Sequence, residues 1–338
     1  MSGLASKLVA MPTGNSFLRL SKAFAPISDD VWNMVYKSFL VTEGVPERLY
    51  HYTDAQGLEG VLRSGEVWAT DCRSTNDPQE GRYAWDLLDK LVRSARGREP
   101  PEPVSDAVRL LIQYLIEVDD SRSSESGSAH RLGQLYVSSF SQNPDDMGQW
   151  RAYGSDGRGF SIGTLARQVV PPAHVSWARV IYKEDEQSNI IGHIIQKLAD
   201  RLPAFCEAQG VELSHAISFA ANSVEGLVDR LRPFFKHRAY IQEQEWRLVR
   251  GVDFFQESEP PRVRALGSRL LSYMPIELKN DRGFMPLCRI TLGPAQYDDG
   301  TVSAVDALLR ESRYIEGEAS EDPLPEVLRS ELPYRSLR

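Results

Sequence analysis

The sequence has 338 residues, of which 41% are hydrophobic and 25% are charged. These proportions exclude a fibrous or wholly disordered chain, and the length suffices for one large domain or two ordinary ones. The net charge of −8 argues against a broad surface for nucleic-acid backbones, which requires a basic face. We therefore expect a globular protein without a general nucleic-acid-binding surface.

The three cysteines, Cys72, Cys206 and Cys288, are far apart and form no CxxC pair, so neither a zinc knuckle nor a disulfide framework is indicated. A reducing cytoplasm is the expected setting, with export as an effector as the alternative. No segment reaches the run of about 18 apolar residues that a membrane span needs, so we expect a soluble protein without membrane contact. Residues 1–28 are expected to be a flexible N-terminal segment; their basic, acid-free composition leaves an uncleaved targeting segment open.

The first predicted elements are a helix and a β-α-β unit. Ser28 with two following acids is typical of a helix start and predicts a helix over 29–41. A strand is predicted over 48–51, followed by a helix with Asp54 as N-cap and Gly65 as its end, and a second strand over 66–69. This order places His51 at the end of a strand.

The middle of the chain alternates helices with strands. Residues 77–80 are expected to cap a helix that runs to about 91, and the proline-rich stretch 97–103 is expected to end it. A second helix should follow and end before a mobile loop at 119–128. Strands are predicted over 135–141, 159–163 and 175–182, with a short helix over 145–153. These elements favour an antiparallel sheet with helices between its strands.

The last part of the chain changes from helices to strands. Residues 185–237 show a helical apolar pattern, strands are predicted over 245–250, 275–279 and 287–292, and a helix over 302–309 precedes an acidic tail. With no internal repeat and no clean linker, we expect a single α+β domain over 29–338, with mixed, mostly antiparallel sheets and a helical insertion at about 185–237.

Three polar clusters coincide with predicted strand ends: His51 with Thr53, Ser139 with Ser141, and Glu243 with Glu245. The two glutamates are two residues apart, so on a strand they would point to the same side and repel each other. Each cluster also has a purely structural interpretation: a histidine bonded to a backbone carbonyl, serines bonded locally, and glutamates on a solvated edge strand. In the same way, the tryptophan at 150 is a candidate core residue, and the arginine beside it is a candidate to neutralise nearby acidic side chains.

Several motifs together resemble the bacterial domain of unknown function 2971 family. The similar segments, which lie between residues 48 and 335, are LYHYT, TNDPQE, SFSQNPDDMGQWRAYG, GRGFSIG, QEQEWR and SELPYR. As a set, these spaced motifs are far more specific than any one of them. The family name implies no reaction.

The order of the clusters is also similar to that of ADP-ribosyltransferases, which implies a split-sheet core and NAD as substrate. On that resemblance His51 holds a ribose, and Ser139 and Ser141 lie beside the nicotinamide. Glu245 would stabilise the oxocarbenium-like transition state through the ribose 2′-hydroxyl, and Glu243 would take a proton from the acceptor. The acceptor (a protein, a nucleic acid or water) stays open, and so does a role as a toxin, effector or defence component.

Other residues complete the expected NAD site. Tyr52, Trp150 and Tyr153 are candidates to stack on nicotinamide or adenine, Arg151 to pair with the pyrophosphate, and Thr53 to contact the ligand beside the histidine. Tyr52 stands where many transferases have glycine, and the serine strand reads Ser-Phe-Ser where they have Ser-Thr-Ser. Two alternatives remain at this point: a nucleotide-sensing or protein-interaction module without catalysis, and a nucleic-acid-processing enzyme that uses the carboxylates with a metal.

Overall fold

The computed structural model describes residues 15–41, 44–75, 82–95, 105–123, 135–172, 175–251, 259–266, 268–281, 283–296, 298–314 and 324–334. The helices are α1 (Asn15–Val35), α2 (Ala55–Ser64), α3 (Tyr83–Ala95), α4 (Asp106–Ser123), α5 (Met147–Ala152), α6 (Glu184–Gln209), α7 (Leu213–Leu231) and α8 (Asp299–Glu311). The strands are β1 (Arg48–Thr53), β2 (Glu66–Asp71), β3 (Leu135–Ser141), β4 (Phe160–Leu165), β5 (Val175–Arg179), β6 (Glu245–Gly251), β7 (Arg262–Leu266), β8 (Arg269–Glu277), β9 (Leu287–Leu292) and β10 (Glu326–Arg329).

The chain forms two units, each built from three separate segments. The helical unit draws on residues 1–42, 79–133 and 181–237, and the sheet unit on residues 43–78, 134–180 and 238–338. This grouping differs from the expected single domain with one helical insertion at 185–237, because α1, α3 and α4 belong with α6 and α7. All ten described strands lie in the sheet unit.

The helical unit is held together by the apolar faces of its five long helices. Leu20, Phe24 and Val31 of α1 are buried, and the Phe24 ring meets Phe205 of α6 edge to face with centroids 4.9 Å apart. The expected helix start at 29 is therefore wrong, since the buried face of α1 already includes Leu20 and Phe24. Likewise α4 continues to Ser123, so residues 119–123 are helical and not part of a loop.

The sheet unit contains one mixed, mostly antiparallel sheet, as expected. Its strand order is β10-β9-β4-β1-β3-β2-β8-β7, and β6 pairs with both β3 and β5. Among the described pairs only β10 with β9 is parallel. The expected β-α-β start is confirmed: Asp54 accepts a hydrogen bond from the Gly57 amide, and Gly65 ends α2 in the left-handed conformation at φ 67°.

The sheet divides along one side of β3, and we call this gap the split. On one side β3 pairs with β6 over its whole length. On the other, β1 pairs with it only through Tyr50 and Ser141, whereas β2 pairs with Val137 and Tyr136 near its start. The described pairs therefore leave residues 138–140 without a partner on this side, between the diverging strands β1 and β2.

Several expectations fall on residues outside the described ranges. They are the helix cap at 77–80, the proline-rich stretch at 97–103, residues 124–128 of the expected loop, and much of the acidic tail. In the part of the chain that the structure does describe, no helix is both long and apolar enough to cross a membrane.

Candidate functional site at the split

His51 lies in the split, next to the unpaired part of β3. Its Nδ1 atom is 2.9 Å from the carbonyl oxygen of Ser139. A carbonyl only accepts hydrogen bonds, so Nδ1 carries the proton and donates it, and in the neutral ring Nε2 is an acceptor. Among the described residues Nε2 has no hydrogen-bond partner. The ring also lies 5.3 Å from that of Phe140, centroid to centroid.

Burial favours the neutral form of this histidine. It lowers the pKa of His51 below its ordinary value, and the positive charge of Arg264 lowers it further, whereas the bond to the Ser139 carbonyl opposes both effects. The split therefore presents an imidazole of fixed tautomer whose free nitrogen accepts hydrogen bonds. Such a group can bind a ligand hydroxyl.

The serines of β3 differ in their environments. Ser141 is buried, where its hydroxyl donates to the Glu243 carbonyl at 2.7 Å and accepts from the Asn143 amide at 3.0 Å. Ser139 is half-buried and contributes its carbonyl to His51. The buried Ser138 hydroxyl has no hydrogen-bond partner among the described residues. Ser141 thus has the local structural role that was its alternative interpretation, while Ser139 lies at the base of the split.

Glu243 and Glu245 do not lie on one strand, so the expected pair of like charges on one strand face is wrong. Glu243 ends a short 3₁₀ helix that begins at Arg238, and the strand begins at Glu245. Gln244, between them, has a left-handed backbone with φ 44°, which breaks the period of two. The half-buried Glu243 carboxylate accepts a long hydrogen bond of 3.5 Å from the Tyr153 hydroxyl.

Glu245 forms a buried ion pair with Arg247. The guanidinium Nε and Nη2 atoms donate to the two carboxylate oxygens at 2.7 and 2.9 Å. The Glu245 side chain is 5% exposed and that of Arg247 1%. This bidentate geometry fixes the orientation of the carboxylate, and the guanidinium neutralises its charge.

The register puts β3 between the predicted histidine and the predicted glutamate. Tyr50, Ser141 and Glu245 are paired in one row across β1, β3 and β6, so their side chains share a face. His51 follows Tyr50 and starts from the opposite face. Two strand spacings separate Tyr50 from Glu245, about 10 Å between Cα atoms, so only a ligand of at least that length would contact both β1 and β6.

Three of the aromatic residues expected to contact NAD belong to one packed cluster. Trp150 is fully buried, and its ring meets that of Tyr52 edge to face at 4.8 Å. The Tyr52 hydroxyl donates to the Asn143 carbonyl and accepts from the Asp146 amide. Tyr153 is partly buried against the same cluster. The expected stacking of Trp150 and Tyr52 on a ligand is therefore wrong for this conformation, since both rings are enclosed by protein.

The remaining two predicted residues lie apart from that cluster. Thr53 ends β1 opposite Phe160 and packs so closely on α2 that a Cβ added to Gly57 would lie 1.9 Å from its hydroxyl oxygen. Arg151 is exposed on α5. The structure brings several predicted site residues into direct contact: His51 with Ser139, Tyr52 with Trp150, and Glu243 with Ser141 and Tyr153.

Sequence reasoning missed three residues that lie beside the split on the β2 side: Trp68, Thr70 and Arg264. Nη2 of Arg264 donates to the Thr70 hydroxyl at 3.0 Å, and the guanidinium carbon lies 5.4 Å from the Trp68 ring centre. The signal for Trp68 was present in the sequence, because it alternates with buried Val67 and Ala69 and so had to occupy the outer face of its strand. Arg264 gave no comparable signal.

Within the described ranges, no group of three or more His, Cys, Asp or Glu side chains has an arrangement able to hold a metal ion. Comparison with known proteins found no curated protein and no solved structure that matches the chain. It did find one family model, which matches less than half of the chain and includes Glu243, Glu245 and Arg247 but not His51. Residues 149–248 are similar to this family, which is described as a protein of unknown function, DUF2971.

Proposed function

We propose that the protein is an NAD-consuming enzyme of the ADP-ribosyltransferase type, with NAD bound at the split. The observation that carries the proposal is the histidine in the split, whose protonated Nδ1 is held by the Ser139 carbonyl and whose Nε2 accepts. A fixed acceptor beside a gap in the sheet suits a ribose hydroxyl, which donates one hydrogen bond. The chain order of His51, Ser139 and Glu245 supports the same assignment.

In the proposed reaction the bond between nicotinamide and its ribose breaks, and nicotinamide leaves with the bonding electrons. Water or an acceptor nucleophile then bonds to the ribose carbon and loses a proton. Glu245 stabilises the positive charge that develops on the ribose, and Glu243 takes the proton. Arg247 holds the Glu245 carboxylate by two hydrogen bonds, so a ribose hydroxyl would need another of its roughly four acceptor positions.

The test is release of nicotinamide from NAD, followed by chromatography, with water, proteins and nucleic acids offered as acceptors. We expect turnover by the wild type, and a loss of about a hundredfold or more in His51→Ala and in Glu245→Gln, because charge stabilisation and ribose positioning are typically worth that much. His215→Ala, a histidine replacement in α7 of the helical unit, is the matched control and should keep full activity. Absence of nicotinamide release by the wild type with every acceptor would exclude the proposal.

Glu245→Gln needs a folding control because it breaks a buried ion pair. Removing one partner of such a pair typically costs about 3–5 kcal/mol. Urea denaturation of the variant at the assay temperature will show whether it is folded, and Ser139→Ala provides a second site variant that leaves the ion pair intact. Activity in Glu245→Gln equal to that of the wild type would remove Glu245 from the mechanism.

A second candidate function is a nucleotide-binding or protein-interaction module without catalysis. The specific observation in its favour is the burial of the Glu245 carboxylate, which is 5% exposed and bonded through both oxygens to Arg247. Calorimetry would then detect binding of NAD or ADP-ribose without nicotinamide release, and His51→Ala would abolish that binding. Turnover together with binding would exclude this alternative.

A further inference from the structure

Arg264 on β7 is a half-buried cation whose side-chain acceptor, among the described residues, is a hydroxyl and not a carboxylate. Among the described residues no acidic side chain lies within ion-pair distance of it; the Thr70 hydroxyl is its hydrogen-bond acceptor, and its Nε is buried without a partner. The acid that acts on it electrostatically is Asp54, whose carboxylate caps α2. Burial is the main cause that lowers the pKa of Arg264, whereas Tyr273 and Asp54 act in the opposite direction.

This arrangement is unusual on energetic grounds. A buried N–H without a partner loses its hydrogen bonds to water and gains none from the protein, so it is destabilising. The cation–π contacts of Arg264 with Trp68 at 5.4 Å and with Tyr273 at 5.9 Å offset part of this cost. An anion bound beside the guanidinium would supply the ion-pair partner that the described residues do not provide.

Trp68 offers a flat surface next to this charge. Its side chain is 40% exposed, although it packs on Tyr273 with centroids 4.6 Å apart, so one part of the ring rests on protein and another faces solvent. An exposed indole next to a cation is the combination that binds a planar base joined to a phosphate, because stacking and charge act on neighbouring parts of one ligand.

We propose that Arg264, Thr70 and Trp68 form a subsite that binds the phosphate of a nucleotide, with its base stacked on Trp68. The guanidinium bonds to the phosphate oxygens. The Thr70 hydroxyl, which accepts from Arg264, donates its own proton to the same phosphate. Thr70 pairs with Val137 of β3, next to the unpaired residues 138–140, so a ligand in the subsite lies beside the split.

The inference rests on the proposed function only in its link to the split, since phosphate and base binding require no reaction. Its test is therefore a binding measurement. Calorimetry with ADP, inorganic pyrophosphate and adenosine separates the two halves of the subsite. We expect ADP to bind most tightly, and Arg264→Gln to weaken ADP and pyrophosphate by about tenfold or more, the usual effect of losing a hydrogen-bonded charge, while adenosine is unaffected.

Trp68→Ala should show the converse pattern. We expect it to weaken ADP and adenosine by about tenfold, the usual effect of losing one base-stacking ring, and to leave pyrophosphate unchanged. Arg262→Gln is the matched control, because Arg262 lies on the same face of β7, is exposed and sits 4.0 Å from Glu259. Its ADP affinity should stay within twofold of the wild type.

Two results would overturn the subsite: no binding of any of the three probes by the wild type, or equal weakening of pyrophosphate by the Arg262 and Arg264 variants. Thermal melting of each variant shows that it is folded, and Arg264→Lys is the second variant in case Arg264→Gln does not fold. Since Lys lacks the planar fork, it should bind pyrophosphate less tightly than the wild type but more tightly than Gln. If ADP binds as expected while NAD is not consumed, the proposed reaction fails and the subsite stands.

Discussion

At the scale of single residues, His51 shows how a backbone contact determines the chemistry of a side chain. The bond from Nδ1 to the Ser139 carbonyl selects one tautomer, and burial with the charge of Arg264 keeps the ring neutral. A surface histidine with the same sequence neighbours would have neither property. The histidine is thus prepared to accept a hydrogen bond before any ligand arrives.

The same environment predicts how the stability of the protein depends on pH. In the unfolded chain His51 gains a proton near pH 6.5, whereas in the folded protein its pKa is lowered. Below pH 6.5 the unfolded state therefore binds more protons, and the free energy of unfolding falls as the pH falls, by at most about 1.4 kcal/mol per pH unit for this group. Urea denaturation between pH 5 and 8 should show a steeper loss in the wild type than in His51→Gln.

The difference between the curves of the wild type and His51→Gln isolates the contribution of His51 to this pH dependence, because all other titratable groups are common to both. If the wild type and His51→Gln instead give parallel curves from pH 8 to pH 5, then His51 titrates normally and the interpretation of a neutral ring held in the split is wrong.

At the scale of elements, two backbone segments of the sheet unit approach closely where the loop before β4 crosses the end of β1. A Cβ added to Gly159 would lie 2.2 Å from the Thr53 carbonyl oxygen and 2.9 Å from the Gly154 backbone. Both neighbours are backbone atoms, which cannot turn away as a flexible side chain can. The glycine that opens GFSIG is thus required by contact with β1.

Gly159→Ala should therefore destabilise the protein. Overpacking by one methyl group typically costs about 1–3 kcal/mol, and the rigid backbone neighbours favour the upper end. Gly226→Ala is the matched control, because Gly226 is exposed in α7 and nothing lies within 4 Å of an added Cβ. This control should gain up to about 1 kcal/mol from the better helix propensity of alanine. Equal stabilities of the two variants in urea would contradict the packing argument.

The elements that could be predicted are those whose signals are local. The bounds of β3 and β9 were predicted to the residue, because their apolar and β-branched composition ends at polar or glycine positions. The strands β7 and β10 were missed. The first is a short edge strand rich in arginine, and the second has four residues that become a strand through pairing with β9.

The candidate site was predictable only where its residues also belong to one local segment. His51 was predicted at the end of a strand, but β1 continues to Thr53. Its contact with Ser139 joins residues 88 apart and could not be predicted locally. The expected glutamate pair failed because a left-handed Gln244 interrupts an apparent strand period. The contact of Arg264 with Trp68 and Thr70 arises because β7 pairs with β8 and β8 pairs with β2, a tertiary arrangement that no local pattern encodes.

At the scale of the whole chain, the C-terminal residues 330–334, which we call the strap, explain why distant motifs occur together. Oδ1 of Asp145 accepts hydrogen bonds from Trp150 Nε1 at 2.6 Å and from the Ser330 hydroxyl at 2.7 Å, and Oδ2 accepts from the Glu331 amide at 3.0 Å. Tyr334 adds a bond to Asp156 at 2.6 Å. One carboxylate thereby joins α5 to a segment about half the chain away.

We expect Asp145→Ala to destabilise the sheet unit by about 2–4 kcal/mol, because it leaves the indole N–H of fully buried Trp150 unpaired and releases the strap. The neighbouring Asp146→Ala removes a helix N-cap that accepts from the Gln149 amide at 2.9 Å, and should cost about 1 kcal/mol. Both are measured by urea denaturation with tryptophan fluorescence.

Removal of residues 330–338 tests whether Asp145 stabilises the protein by binding the strap or independently of it. If Asp145 acts through the strap, truncation should lower the free energy of unfolding about as much as Asp145→Ala does. Asp145→Ala in the truncated chain should then lower it clearly less than in the full chain, because the effects of partners in one network are not additive. The remaining cost is the unpaired Trp150. Fully additive effects would mean that Asp145 stabilises α5 independently of the strap, and that the SELPYR and NPDDMGQW motifs are linked by proximity alone.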